Sequence, residues 1–320
     1  MLKNILRNEL TSVVLPLIVL FIILVTTSSG FLSSYNITSL LEQIAVFVLI
    51  GLAQMVVLSL GQFNLALGSM GCLSAISMGF CMQVLGLPVI VALFIGLLVA
   101  AFLGWLQGLL IARSGINPFI ITLALLSVFF GISAVITQGK AYDKLPGSIQ
   151  ELNLLKFGPV PGSFLIALVV CAIVFFVFRY MDIGKQLLAV GENPRAALFT
   201  GINVKKTISL GHMISGLICG IAAILQIAKF GSAQISIGND WMLTSFVVAV
   251  LGGTLLSGGK VSAIGTLLGS FLMMFINNLL ILWGVNAYIF QTILGFVLLG
   301  AFEVDRARIS YIKSRTDSRG

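Results

Sequence analysis

Apolar residues run along this chain in stretches far longer than a soluble helix or strand needs, punctuated by short polar breaks. From Gln43 to Ala112 there is no Asp, Glu, Lys or Arg, and from Val261 to Phe302 there is none again. A helix crosses the hydrocarbon core in about 20 residues, so each gap holds more than one crossing. Windows of that length between turn signals predict ten helices: Val13 to Ser29, Ile44 to Leu60, Leu65 to Leu85, Leu87 to Ala112, Phe119 to Thr137, Pro161 to Tyr180, Ile208 to Ala228, Trp241 to Leu256, Ser262 to Leu282 and Val285 to Phe302. Run length favours helix over strand, and so does the need to satisfy backbone polar groups inside the membrane. The window at Trp241 is the shortest. The segment after it, "LGGTLLSGGKVSAIG", predicts broken helices or a re-entrant loop.

Composition agrees with the pattern. The chain is 59% hydrophobic and 9% charged, with a mean hydropathy of +1.14, and a water-soluble domain of that make-up would expose large apolar patches. The expected fold is an all-α polytopic membrane protein of about ten transmembrane helices, one transmembrane domain over residues 1–320. The small residues "TTSSG" after the first apolar run suggest a signal-peptide check, but a retained span keeps the helix number even. An even number puts both termini on one side. Of the 18 basic residues only Lys140, Lys144, Lys156 and Lys229 fall on the other side, so the positive-inside rule makes both termini cytoplasmic. The net charge of +8 is then a topology signal, and nucleic-acid binding is not expected. The basic tail "DRARISYIKSRTDSRG" reads as a lipid-facing or solvated end.

Two Gly-rich breaks, "LGQFNLALGSMG" (Leu60 to Gly71) and "LGGTLLSGGKVS" (Leu251 to Ser262), overlay loosely. That predicts two pseudo-repeated halves with interrupted helices. Small residues at four-residue spacing, Gly104 with Gly108, Gly216 with Gly220 and Gly265 with Gly269, predict close helix packing. Cys72, Cys81, Cys171 and Cys219 lie in predicted spans without metal-type spacing and read as small core residues. "NIT" at Asn36 matches a glycosylation sequon, a pattern common by chance.

No catalytic constellation is visible, and an enzyme is not expected. In "GGTLLSGGKV" five residues separate Gly253 from Gly259 where a phosphate-binding loop needs four, and Val261 replaces its Ser or Thr. No cofactor or metal is implied. His212, alone in a small-residue span, reads as a structural donor before a proton relay. Ion-coupled carriers commonly place carboxylates within the membrane. Here Glu42 and Asp240 sit at outer span edges and Glu303 and Asp305 at an inner one, so energy for uptake would come from another polypeptide.

One polar insert stands out, "GENPRAALFTGINVKK" at residues 191–206 within a cytoplasmic loop of residues 181–206. Asn193 is placed to cap a helix, Pro194 suits its first position and Gly201 closes it. A two-turn helix is unstable alone and needs a surface to lie against. Ala196 and Ala197 would let another surface approach closely, while Leu198 and Phe199 form an apolar knob. Either the helix rests on its own membrane domain or it docks a cytoplasmic motor.

The insert resembles the cytoplasmic loop of ribose-type permease subunits of ATP-binding-cassette importers, with their "GGNPEAARLSGI"-like segment. The resemblance extends through "SGLICGIAAILQIAKFGSAQ", "AVLGGTLLSGGKVSAIGTLLG" and "NPFIITLALLSVFFGISAVITQG", covering nearly all the chain after about residue 40. It implies a permease of the bacterial inner membrane, paired with a second copy or a sister permease. Cytoplasmic ATPase subunits and an extracytoplasmic substrate-binding protein would be its other partners. By matching positions, the resemblance makes Gly191, Asn193, Pro194, Ala196, Ala197, Gly201 and Ile202, with the neighbouring Glu192 and Leu198, the ATPase-coupling element.

Where the family has "GGIDLSVG" this chain has "GQFNLALG", with Asn64 in place of an acid and Gln62 in place of a glycine. Ala124 and Phe130 replace the Gly and Arg of "TLGxxxxxRG". The candidate pathway is left neutral: Gln54, Asn64, Asn117, Phe119, Thr122, Gln226, Gln234, Asn277 and Asn278. Amides and hydroxyls can serve a polyol without burying charge, although each is first a helix-to-helix hydrogen-bonding group. The expected function is import of a sugar or sugar-like solute. Alternatives are import of a nucleoside or furanose-like signalling molecule, a self-sufficient secondary carrier, or a passive channel. The connection from Ala141 to Gly162 would face the binding protein through Lys144, Glu151 and Lys156, or simply be solvated.

Overall fold

The computed structural model describes residues 9–27, 30–154, 156–157, 160–285, 289–297 and 299–300. The "TTSSG" boundary at Ser28 and Ser29, the basic tail and parts of the tenth expected span lie outside the described residues. The helices are α1 Glu9–Thr27, α2 Ser34–Leu58, α3 Leu67–Gln83, α4 Val89–Ser114, α5 Pro118–Thr137, α6 Gly147–Leu154, α7 Gly162–Tyr180, α8 Asp182–Glu192, α9 Pro194–Phe199, α10 Val204–Phe230, α11 Trp241–Leu251 and α12 Ala263–Leu282. Residues 289–297 are also helical. One two-residue ladder, β1 Lys156–Phe157 with β2 Val160–Pro161, pairs antiparallel with Lys156 opposite Pro161.

Among the described residues six helices are long and apolar enough to cross a membrane: α2, α4, α5, α7, α10 and α12. The apolar part of α1 and the whole of α11 are shorter. The chain is an all-α polytopic membrane protein.

Hydropathy windows understate the helices that carry polar ends. α2 begins ten residues before the expected Ile44, because the Ser33 hydroxyl accepts from Asn36 N at 3.3 Å and caps a polar first turn. α10 likewise begins at Val204, capped by Asn203, which accepts from Lys206 N at 3.0 Å. The window opened by Trp241 closes early, at Leu251, and residues 252–262 form a non-helical break. Ser262 then caps α12 by accepting from Gly265 N at 3.0 Å.

α2 is the buried centre, touching α10, α11, α7 and α12, and α12 in turn packs against α1. α4, α5 and α7 turn rows of Leu, Ile, Val and Phe outward, the surface expected of helices that face lipid. α10 makes its most extensive contact with α4. The cause is the glycine spacing: a Cβ on Gly104 would overlap the His212 carbonyl, one on Gly216 would overlap the Ala100 carbonyl, and one on Gly108 would stand 2.7 Å from Ser209 Cα. Gly265 and Gly269 bring α12 against Gly252 and Val248 in the same way. These seams let backbones approach to where dispersion and weak Cα–H contacts operate, which is how helices associate without a hydrophobic drive.

The polar residues inside the bundle are mostly spent on architecture. Asn278 Nδ2 donates to Asn36 Oδ1 at 3.0 Å, and Asn36 Nδ2 donates to Phe31 O at 2.9 Å, so the "NIT" asparagine is a helix-pairing residue. The four cysteines are buried and free, and the Cys219 thiol lies 3.1 Å from Leu67 O.

Overfilling the α4–α10 seam should cost about 1–3 kcal/mol. Gly104→Leu is therefore expected to lower the unfolding temperature of the detergent-purified chain, while Gly131→Ala, with nothing within 4 Å of its Cβ position, leaves it unchanged or slightly raised.

Candidate functional site

Two cavities lie towards opposite ends of α2 and α10, about 27 Å apart along α10 from Ile208 to Gln226. The first, of about 520 Å³, is lined by Ser39, Gln43 and Phe47 of α2, Gln226, Lys229 and Phe230 of α10, Gln234 and Ser236 of the following loop, Asp240 and Trp241 at the start of α11, and Asn277 of α12. Its rim is fixed by local bonds. Tyr142 and Ala233 exchange N–H···O bonds of 2.9 Å each, and Lys144 N donates to Gln83 Oε1 at 2.9 Å. Lys229 Nζ pairs with Glu42 Oε2 at 3.5 Å, tying α10 to α2. Amides, hydroxyls and aromatic faces therefore converge on one space, with the Glu42–Lys229 charges neutralising each other.

Of the expected pathway residues, Gln226, Gln234 and Asn277 meet in this cavity. Asn278 turns away to Asn36. Asn117, Phe119 and Thr122 lie at the other end of the membrane domain: Asn117 caps α5 by accepting from Phe119 N at 2.9 Å, Phe119 is exposed, and the Thr122 hydroxyl donates to Phe119 O at 3.2 Å. Asn64 sits in the break between α2 and α3, fully buried, its side-chain amide without a hydrogen-bond partner. Gln54 serves that break: with its amide turned to suit, it donates to Asn64 O at 3.2 Å and accepts from Asn64 N at 3.3 Å. The residues that sequence reading missed are Ser39, Gln43 and Asp240. Asp240 was visible only as a carboxylate at a span edge, and the loop from Gly231 to Asp240 folds it over the cavity.

The second cavity, of about 800 Å³, lies between the α4–α5 turn and the polar insert, with Gln62, Ile116, Pro194, Leu198, Asn203 and Lys205 among its lining. The short helix α9 is built as its sequence specifies. The Asn193 side chain accepts from Arg195 N at 3.1 Å and Ala196 N at 3.0 Å, and Pro194 holds the first position. At the other end Gly201, with φ +85°, allows Gly201 N to donate to Leu198 O and Ile202 N to Ala197 O, both at 3.1 Å, a Schellman closure. Ala197 faces its own chain at 4% exposure, so it does not offer the close approach expected of it; Ala196 is exposed, and Leu198 and Phe199 project at 62% and 90%.

His212 is a connector between these regions. Its Nδ1 lies 2.8 Å from Gln107 Nε2 and its Nε2 lies 2.9 Å from Gln62 Oε1. Those partners assign the neutral imidazole with the proton on Nε2, a structural role that matches its sequence reading.

Burial raises the Asp240 carboxyl pKa above its ordinary value, with a backbone hydrogen bond offsetting part of the rise. The folded state then disfavours the charged form, so Asp240 costs stability as pH rises from the ordinary carboxylate range through the raised value. Because the residue keeps an exposed face, screening holds the effect small. Asp240→Asn is expected to raise the unfolding temperature at pH 7 by about a degree or two, and the gain should shrink at mildly acidic pH, as read by thermal unfolding at both.

Residues 36–302 match the family model described as branched-chain amino acid transport system / permease component. A ribose import permease protein of Bacillus subtilis (strain 168) is 32% identical over 302 residues, 92% of this chain and 92% of that protein. A D-allose transport system permease protein of Escherichia coli (strain K12) is 29% identical over 276 residues, 86% and 85% of the two chains. An autoinducer 2 import system permease protein of Photorhabdus temperata is 32% identical over 278 residues, 82% of each. No solved structure matches the chain. By the extent of the family match, the chain belongs to the branched-chain amino acid transport system / permease component family.

Proposed function

We propose that this chain is the membrane-spanning subunit of an ATP-binding-cassette importer for a neutral, hydroxyl-rich solute of the sugar class. The observation that carries the reading is the amide-lined cavity at one end of α2 and α10, with the exposed Leu198–Phe199 knob of α9 at the other. Relatives named for ribose, allose and autoinducer 2 import support it. Ten spans in two pseudo-repeated halves, broken at residues 59–66 and 252–262, form one domain over residues 1–320. Both termini and the loop of residues 181–206 are cytoplasmic, in a bacterial inner membrane.

In this reading a binding protein delivers solute to the cavity, where Gln226, Gln234, Asn277 and Asp240 hydrogen-bond its hydroxyls and Phe47 and Phe230 meet its C–H faces. The unpartnered side chains of Asn64, Thr244 and Thr254, all buried, supply hydrogen-bonding groups along the closed route. α9 docks an ATPase subunit through Leu198 and Phe199, with Gly191, Glu192, Asn193, Pro194, Ala196, Ala197, Gly201 and Ile202 shaping and seating it. The permease works with a second copy or a sister chain.

Affinity purification in gentle detergent tests the docking. Phe199→Asp is expected to insert normally yet retain ATPase at least about 30-fold more weakly, the scale of an aromatic interface anchor. A wild-type chain that purifies alone and moves solute alone would replace this reading with the carrier or channel. Removing one amide, by Asn277→Ala, should raise the solute concentration for half-maximal uptake about two- to tenfold, the worth of one hydrogen bond, as measured with radiolabelled sugar in vesicles.

A further inference from the structure

The polar insert reaches the interior at one place, where three stretches of backbone meet with no side chain between them. Gly191, near the end of α8, lies against the Ser59 carbonyl at the end of α2, and a Cβ there would overlap that oxygen. The second break closes on the same spot. A Gly258 Cβ would stand 2.6 Å from Gly61 N and 2.9 Å from Gly191 O, and Gly259 N donates to Ser59 O at 3.1 Å. Gly61 and Gly258 hold φ of +67° and +88°, which side chains with a Cβ rarely adopt.

The node is wired to both ends of the molecule. Only Asn193 separates α8 from α9, so a displacement of α9 moves Gly191 with it. From the node, α2 runs to Ser39, Gln43 and Phe47, and α11, which enters the second break, begins at Trp241; all four line the 520 Å³ cavity. Side chains at such a junction would absorb movement by changing rotamer. Interlocked backbone has no rotamers, and packed protein is nearly incompressible.

We infer that Gly191, Gly61 and Gly258 are positioning residues for transport: they form a rigid backbone node that carries movement of α9 to both helix breaks, and through α2 and α11 to the cavity. This rests on the reading of α9 as an ATPase-docking helix. The node itself is a contact that persists throughout the cycle, not a gate that opens and closes.

The test measures three quantities on the reconstituted complex: ATPase retained, ATP hydrolysed and solute moved. Gly258→Ala, at a node position outside the docking element, is expected to keep ATPase retention and hydrolysis within about twofold while uptake per ATP falls at least about tenfold, within the range of typical coupling energies. A loss of folding lowers all three together and leaves the ratio unchanged. An unchanged ratio in a folded Gly258→Ala complex overturns the node.

A second variant also puts a Cβ on a node glycine, Gly259 at φ +75°, so its reduced form is the reference for its oxidised form. The Glu192 Cβ is 3.1 Å from where a Gly259 Cβ would stand, a few tenths of an ångström below the usual disulfide range of about 3.5–4.5 Å. In the Glu192→Cys, Gly259→Cys pair the disulfide should form to the same extent with and without nucleotide and solute, and uptake per ATP should match that of the reduced pair. A disulfide confined to one condition, or one that blocks uptake, overturns the rigid node even if wild type keeps its ATPase. Absence of any ATPase from the wild-type chain overturns the docking reading instead, and the crosslink still decides whether the contact persists.

Discussion

Backbone N–H and C=O groups inside a membrane must find partners within the protein, and this one constraint explains the middle of the molecule. α2 ends at Leu58 and α11 at Leu251, and residues 59–66 and 252–262 form non-helical breaks. The chain repairs the first break with a side chain, Gln54, whose amide serves both backbone groups of Asn64. It joins the second break to the first by the Gly259 N to Ser59 O bond. That approach is possible only because glycines occupy the contact. The broken helices, the small residues and the buried amide are thus parts of one solution.

Two helices give the molecule its polarity. α2 and α10 run in opposite directions and span from the amide-lined cavity to the polar insert, so whatever happens at one end is geometrically tied to the other. The helices around them have other duties. α4 locks to α10 through glycines, while α5 and α7 present apolar rows to lipid. Polar groups are scarce: hydroxyls such as Ser133, Thr137 and Ser270 bond carbonyls of their own helix, and a few amides join helices, Asn36 with Asn278 and Gln107 with His212 and Gln62.

Periodicity and turn chemistry made the fold largely legible, and burial made the site only partly so. The caps at Asn193 and Gly201 were readable because their chemistry is local: one side chain and one φ value decide the structure. The glycine pairs were readable because a four-residue spacing has few other uses. The early start of α2 was not, since hydropathy windows discount Ser39 and Gln43, which line a cavity, and Glu42, which pairs with Lys229. Asn117 and Asn278 looked equivalent to Asn277 as amides near span ends. Their roles differ by which way a helix face points, and that depends on packing partners from the far end of the chain. Asp240 was hidden for the same reason, being placed by a loop whose position is set by Tyr142.

The charge arrangement of the cavity bears on what crosses. Glu42 and Lys229 cancel each other at the wall, and burial disfavours the charged form of Asp240. An anionic solute would have to leave its hydration for a space whose lining cation, Lys229, is already paired with Glu42, a cost that amides cannot offset. A polyol loses only neutral hydrogen bonds and can recover them from Gln226, Gln234 and Asn277. The ionisable side chains that line the cavity are Asp240, whose charged form burial disfavours, and Lys229, which is paired with Glu42, and on the proposed reading the energy enters mechanically. On that reading the mechanical input would meet the membrane domain at α9, which Ala197 seats on its own chain and Gly191 joins to both helix breaks.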